Sequence, residues 1–144
     1  MIKISSIHFL EFKIGGFFSS NYSITIVGDS ITFFSDPYRF DEGERHTKTA
    51  SVAALKLFIS ELNKLKVQQW KRRYENYDAL DGEQWSLEIQ YNNLKRKKRI
   101  YGSNEYPGSI TNSVERTTEF CGFLNTLKTL IDEPDFFSES YFNI

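Results

Sequence analysis

The chain has 144 residues, eighteen Lys and Arg against nineteen Asp and Glu, one cysteine, and aromatic side chains at 16% of positions. That length fits one domain around a single core; the near-neutral charge excludes a bulk pull toward nucleic acid or membrane, and a lone Cys121 excludes an internal disulfide or a cysteine-built metal site. No apolar run reaches the roughly 18–20 residues of a membrane span, and the opening stretch is interrupted by Lys3, His8, Glu11 and Lys13 where a signal peptide would be apolar, so a soluble, cytoplasmic protein is expected.

Ile2, Ile4, Ile7 and Phe9, then Leu10, Phe12 and Ile14, alternate with other residues but change phase near Ser5-Ser6 and at Phe9-Leu10. This predicts one long bent strand, or two short strands with a bulge, ended by Gly15-Gly16. Phe17 to Asn21 reads as a loop carrying two aromatics. The next strand runs from Tyr22 to Val27 with Tyr22, Ile24 and Ile26 on one side. Gly28-Asp29 is a two-residue hairpin turn, and Ser30 to Phe34 returns antiparallel. Ser35 to His46 is polar and turn-rich, the composition of a mobile loop.

Thr49 or Ser51 is placed to cap a helix running to about Lys66. Val52, Leu55, Phe58, Ile59, Leu62 and Leu65 recur at three- and four-residue steps, while Lys56, Glu61 and Lys64 fall outside that stripe. Val67 to Ala79 is ambiguous: Trp70, Tyr74 and Tyr77 make either a helical face or a plug at the edge of the core. From Trp85 to Tyr91 apolar and polar residues alternate strictly, the pattern of a half-buried strand, flanked by the turn dipeptides Asp81-Gly82 and Asn92-Asn93. The second arm of that hairpin is expected from Leu94 to Tyr101. Tyr106-Pro107-Gly108 breaks the chain. Asn112 or Ser113 is then expected to cap a second helix whose face is Val114, Thr117, Phe120, Cys121, Leu124, Leu127 and Ile131, with Phe123 and Leu130 at its margin and Pro134 as its stop.

These elements predict one α+β domain: a mainly antiparallel sheet of about five strands with two amphipathic helices on one face. Tyr22–Ile26 can be laid on Trp85–Ile89, and Phe58–Leu65 on Phe123–Leu130, so a duplicated ββα unit with halves 20–66 and 83–131 is a second expectation, followed by an aromatic and acidic tail from 134 to 144.

The segment Asp81-Gly82-x-x-Trp85-x-Leu87-x-Ile89, followed by Gly102-Ser103-Asn104-x-Tyr106-Pro107 and a helix, resembles a pattern found in small uncharacterised bacterial proteins. It covers about Tyr77 to Leu130. The resemblance implies a hairpin-to-helix unit and a bacterial or phage source, and it carries over no catalytic residue.

The strongest electrostatic feature is the run Lys95-Arg96-Lys97-Lys98-Arg99. Five cations on a strand fit an edge strand, where Lys and Arg block edge-to-edge pairing; they also fit an anion patch, joined by Lys71-Arg72-Arg73 with Trp70 and Tyr74 nearby. His46 lies among Asp41, Glu42 and Glu44 without metal-ligand spacing and reads as a loop histidine. His8 lies in a strand with no sequence partner. Asp78 with Asp81 and Glu83, or Asp29 with Asp36, are carboxylate pairs for acid–base work, but all fall at turns where Asp is expected for backbone reasons. Gly15-Gly16 lacks the lysine and hydroxyl of a phosphate-binding loop, and Cys121 falls on the buried face of its helix, where a thiol is inert. No cofactor and no metal are expected.

Aromatics in loops and termini (Phe17, Phe18, Tyr38, Phe40, Tyr106, and the tail residues Phe136, Phe137, Tyr141 and Phe142) are of the type enriched at interfaces. Together these features predict a non-enzymatic protein that binds another protein, an inhibitor or immunity-type protein, through Lys95, Arg96, Lys97, Lys98 and Arg99 and the tail aromatics. Self-association, with an acidic tail meeting a basic strand, is a version of this. The alternatives are a nucleic-acid-binding protein using Lys95–Arg99, and a small hydrolase or nucleotide-binding enzyme whose pocket gathers Asp78, Asp81 or His46.

Overall fold

A computed structural model describes residues 2–16, 21–36, 44–76, 82–108 and 115–132. Among them the chain forms β1 (Ile7–Gly16), β2 (Asn21–Val27), β3 (Ser30–Asp36), β4 (Glu44–Thr49), α1 (Val52–Leu65), a 3-10 turn (Val67–Gln69), β5 (Arg73–Glu75), β6 (Glu83–Tyr91), β7 (Lys98–Ser103) and α2 (Thr118–Ile131). The strands make one sheet of order β4-β3-β2-β1-β6-β7-β5, antiparallel throughout except for the parallel β5–β7 pair. The fold is α+β, with two more strands than the sequence pattern indicates.

Both added strands lie at the rims. β4 is Glu-Arg-His-Thr-Lys-Thr, with no apolar residue to mark a period, yet it pairs with β3 from Ser30↔Thr49 to Ser35↔Glu44. His46 is therefore a strand residue, correcting its reading as a loop histidine; it stacks on Phe33 with ring centroids 5.4 Å apart. β5 is three residues long, and Trp70 before it and Tyr74 within it are buried, so these two rings plug the core and do not line a helical face; Tyr77, the third aromatic of that stretch, lies outside the described residues.

The sheet buries one face. Leu10, Phe12 and Ile14 of β1, Tyr22, Ile24 and Ile26 of β2, Ile31 and Phe33 of β3, Trp85, Leu87 and Ile89 of β6 and Ile100 of β7 all point to the side that holds both helices. Side chains alternate across a strand, so the opposite face carries Glu11, Lys13, Thr25, Ser86, Glu88 and Arg99. Phe9 shares that face. Of the two phase changes expected, that at Phe9-Leu10 has a counterpart just before it, a register shift between Ile7 and Phe9 against β6, while Ser5-Ser6 precede the strand.

Hairpins β2–β3 and β6–β7 flank β1 on its two sides. Gly28 at φ +63° makes the first turn with Asp29. The Asp29 and Asp36 backbones stand at opposite ends of β3, about 24 Å apart at the rise of an antiparallel strand, a separation too large for the carboxylate pair considered from sequence.

Ser51 caps α1, its Oγ accepting from the Ala54 N–H at 3.1 Å, and Lys66 in the left-handed region ends it. Phe58 and Leu62 are buried and Leu55, Ile59 and Leu65 half-buried, but Val52 at the first turn is exposed, so the stripe begins one turn later than its spacing implies. α2 starts at Thr118, capped by the Thr117 hydroxyl, which accepts from the Phe120 N–H at 3.2 Å. This corrects the expected cap: Asn112, Ser113 and Val114 lie outside the described residues, and Thr117 precedes the helix it was expected to line. α2 lies against α1 and sets Phe120 and Phe123 on Phe12 and Trp85 of the sheet, and Phe120, Phe123, Leu124, Leu127, Leu130 and Ile131 are all buried. Cys121 is only half-buried, at the margin of that face and not within it.

The residues of the Asp-Gly…Trp and Gly-Ser-Asn-x-Tyr-Pro pattern meet in one cluster. The Trp85 indole N–H donates to the Glu105 carbonyl at 3.0 Å, and its ring lies among Trp70, Tyr74, Tyr106 and Phe120. Asn104, in the left-handed region, accepts from the Glu83 N–H at 3.0 Å through its side chain. Glu83 is buried; it takes two hydrogen bonds from Arg116, from Nε at 2.8 Å and Nη2 at 2.5 Å, and one from the Tyr106 hydroxyl at 2.9 Å. Glu83 is thus a buried ion-pair partner whose charge and lone pairs are met by Arg116 and Tyr106; Asp78 and Asp81, the carboxylates set beside it in the sequence, lie outside the described residues. Tyr106, expected among interface aromatics, is a core residue.

The segment before β1 is fastened by side-chain amides. Asn63 of α1 accepts from the Ile4 N–H at 2.9 Å and donates to the Ile4 carbonyl at 2.8 Å, in the manner of a neighbouring strand. Asn92 accepts from the Ser5 N–H at 2.7 Å and donates to the Lys3 carbonyl at 2.9 Å, while the Asn92 carbonyl accepts from His8 Nε2. His8, without a partner in the sequence, has one here.

Candidate functional site

The two basic segments converge. Lys71 and Arg72, and the run from Lys95 to Arg99, line one shallow groove of about 1080 Å³, with Leu94 and the edge of Trp70 completing it. Seven of the chain's eighteen Lys and Arg are thus gathered in one place, and among the described residues no carboxylate lines the groove.

Local structure explains how they meet. Asn92 takes the left-handed conformation and the Leu94 N–H donates to the Tyr91 carbonyl at 3.2 Å, which makes the turn out of β6. β6 and β7 then pair only from Ile89↔Lys98 onward, so Lys95, Arg96 and Lys97 sit in the connection and not on a strand. This corrects the expected five-cation strand: only Lys98 and Arg99 belong to β7. β5 covers the outer side of β7 only along Tyr101–Ser103, so the half of β7 that carries Lys98 and Arg99 has no outer strand partner among the described residues. The Tyr101 N–H donates to the Arg72 carbonyl at 2.9 Å, which holds Arg72 beside β7, and the Lys71 N–H donates to the hydroxyl of Tyr74 in β5 at 2.8 Å.

Each cation has its own setting. Lys95, Arg96, Lys71 and Arg72 are exposed, with no carboxylate in ion-pair reach among the described residues. Lys97 places Nζ 3.7 Å above the centroid of the Phe9 ring, a cation–π contact that draws it toward the open face of the sheet. Arg99 lies 3.5 Å from Glu88 on that face, an exposed pair of small energetic weight. Lys98 points the other way, half-buried, with Nζ donating to the Gln68 carbonyl at 2.6 Å.

Partial burial, and then the nearby Arg72 charge, hold the Lys98 ammonium below the ordinary lysine value. A lowered value means that the charged form is less favourable in the fold than in the unfolded chain. That cost is present in full at neutral pH and disappears as pH rises through the folded value toward the unfolded one. A side-chain NMR titration is expected to find the Lys98 ammonium losing its proton below the ordinary value, and Arg72→Gln is expected to move it back upward.

Trp70 and Tyr74, proposed from sequence as aromatic companions of the cations, face the core: Trp70 meets Trp85 and Phe123 edge-on, and Tyr74 stacks on Trp85 at 5.9 Å. Both rings are buried, and of the two only Trp70 reaches the wall of the groove. Leu94 is the exposed apolar residue there, at 43%. The tail aromatics Phe136, Phe137, Tyr141 and Phe142, and Phe17, Phe18, Tyr38 and Phe40, lie outside the described residues.

Among the described residues no three His, Cys, Asp or Glu side chains gather closely enough to hold a metal ion, and no helix is long and apolar enough to cross a membrane. The convergence itself was partly legible: the two runs stand out as charge clusters, but nothing local indicates that β5 would lay the first beside the second. The chain matches no protein-family model and no curated protein.

Proposed function

We propose that this protein acts by binding, and that the groove between Lys71-Arg72 and Lys95–Arg99 receives an acidic surface of another protein, as an inhibitor or immunity-type protein of bacterial or phage origin would. One observation carries the reading. Seven cationic residues from two distant segments line one groove with no lining carboxylate, and four of them, Lys71, Arg72, Lys95 and Arg96, are exposed and unpaired among the described residues, a concentration of positive charge that a negatively charged partner complements. Leu94 supports a protein as that partner, since an exposed apolar side chain ringed by Lys and Arg fits the mixed chemistry of a protein interface. The inward rings of Trp70 and Tyr74 support it too, because they leave no platform on which bases would stack.

A second reading, nucleic acid held through its phosphates, is favoured by the crowding of Lys98 against Arg72, which a dense line of negative charge would offset. The two separate in one experiment: capture on the tagged protein from lysate of the cells that make it, with and without nuclease, beside a Lys95→Glu/Arg96→Glu variant. The expected result is one protein held at near-equal stoichiometry, indifferent to nuclease, and weakened at least about tenfold by the variant, both substituted residues being exposed. Material lost on nuclease treatment would transfer the groove to nucleic acid. A partner held equally by the variant would remove the groove from the function.

A further inference from the structure

A second basic groove, of about 460 Å³, lies between the segment before β1 and the outer side of α1, lined by Lys3, Lys56 and Lys64 with Ile59, Ser60 and Asn63. Lys64 is offset by Glu61 at 3.0 Å, and Lys3 and Lys56 are exposed with no carboxylate in ion-pair reach among the described residues. Gln68 ties this groove to the first. Its side-chain N–H donates to Asn63 Oδ1 at 3.2 Å and to the Ile2 carbonyl at 3.0 Å, while its backbone carbonyl accepts from Lys98 Nζ at 2.6 Å. Asn63 lines the second groove and Lys98 the first, so one residue's two ends touch the walls of both.

We propose that the two grooves form one cationic track that binds a single extended acidic segment of a partner protein, with Lys3 and Lys56 holding the end that the larger groove does not reach. This rests on the binding reading above and adds to it the shape of the partner: a continuous acidic strand or tail, and not a compact acidic patch. The apolar parts of the track, Leu94 in one groove and Ile59 in the other, lie among the cations as they would against a peptide with interspersed apolar side chains. The physical consequence is bivalency. A segment that reaches both grooves makes its second contact within the complex, at high effective concentration, so its affinity exceeds that of a segment filling one.

The test uses fluorescein-labelled oligoglutamates of about 5 and about 15 residues, the longer spanning about 50 Å when extended. Anisotropy is read at low salt, with thermal unfolding to confirm that each variant folds. The longer peptide is expected to bind at least about tenfold more tightly to the unaltered protein. Lys3→Glu/Lys56→Glu should bring the longer peptide down to the level of the shorter and leave the shorter unchanged; Lys95→Glu/Arg96→Glu should weaken both. Lys13→Glu, an exposed change on the open face of the sheet, should alter neither by more than about twofold.

Equal binding of the longer peptide before and after Lys3→Glu/Lys56→Glu would overturn the track and leave the larger groove standing. Lack of binding by either peptide would overturn both. An equal loss from Lys13→Glu would reduce the effect to net charge and overturn the track. Tighter binding of single-stranded DNA of matched charge than of the longer peptide would replace the acidic protein segment by nucleic acid.

Discussion

Replacing Gly102 with alanine is expected to destabilise the protein by about 3 kcal/mol or more, the upper end of what overpacking a filled core costs. A Cβ at this position would stand 1.9 Å from Trp85 Nε1 and 2.1 Å from Cε2, well inside van der Waals contact. The ring cannot yield. Trp85 is buried, its N–H is committed to the Glu105 carbonyl, and Tyr74, Tyr106, Trp70 and Phe120 surround it. Nor can the backbone retreat, since Gly102 lies in β7 between β6 and β5. Urea unfolding followed by tryptophan fluorescence measures the loss. Adding Trp85→Leu to Gly102→Ala should cost much less than the sum of the two single changes; strict additivity would show that the ring is not what excludes the methyl group.

Arg116→Met is expected to cost about 3–5 kcal/mol, because it leaves the Glu83 carboxylate buried without its cation. The Glu83 and Arg116 side chains are only 9% and 16% exposed, and the two-pronged contact fixes the chain entering α2 against the start of β6. The loss should shrink when the charge is removed from both sides. Glu83→Gln/Arg116→Met, which keeps an acceptor for the Tyr106 hydroxyl, is predicted to recover more than half of it in the same unfolding assay. A double variant as unstable as Arg116→Met alone would mean that packing of the guanidinium, and not the unpaired charge, sets the cost.

Both substitutions act on residues of β6, Trp85 and Glu83, the strand that was most legible in the sequence. Strict alternation through Trp85, Leu87, Ile89 and Tyr91 placed β6 because that strand is central, buried on one side and wet on the other. Gly28-Asp29 and Ser51 were readable for a related reason: turns and caps are set by a few neighbouring atoms. Elements defined by distant neighbours were not. β4 has no apolar residue, since an edge strand over the rim of the core needs none, and β5 exists only because β7 offers it an edge. The cap of α2 was placed too early because Thr117, in the same helical step as Val114 and Cys121, passed for a residue of its buried face. At the candidate site the cations were conspicuous, but their burial and partners were not: the lowered Lys98 and the inward rings of Trp70 and Tyr74 depend on where the 3-10 turn sets the chain down.

The position of β1 in mid-sheet has a consequence for how the chain is made. As it leaves the ribosome, β1 acquires β2 on one edge almost at once, but its other edge belongs to β6, where Ile14 lies opposite Trp85. At roughly 5–20 residues per second, that edge waits several seconds for its partner. Through this interval Leu10, Phe12 and Ile14 face outward from a half-built sheet, and the helix that will cover Phe12 is later still. The nascent chain thus passes through a stage with an open strand edge and a bare apolar face, the state in which a holding chaperone, or another nascent copy, competes with β6 for the same hydrogen bonds.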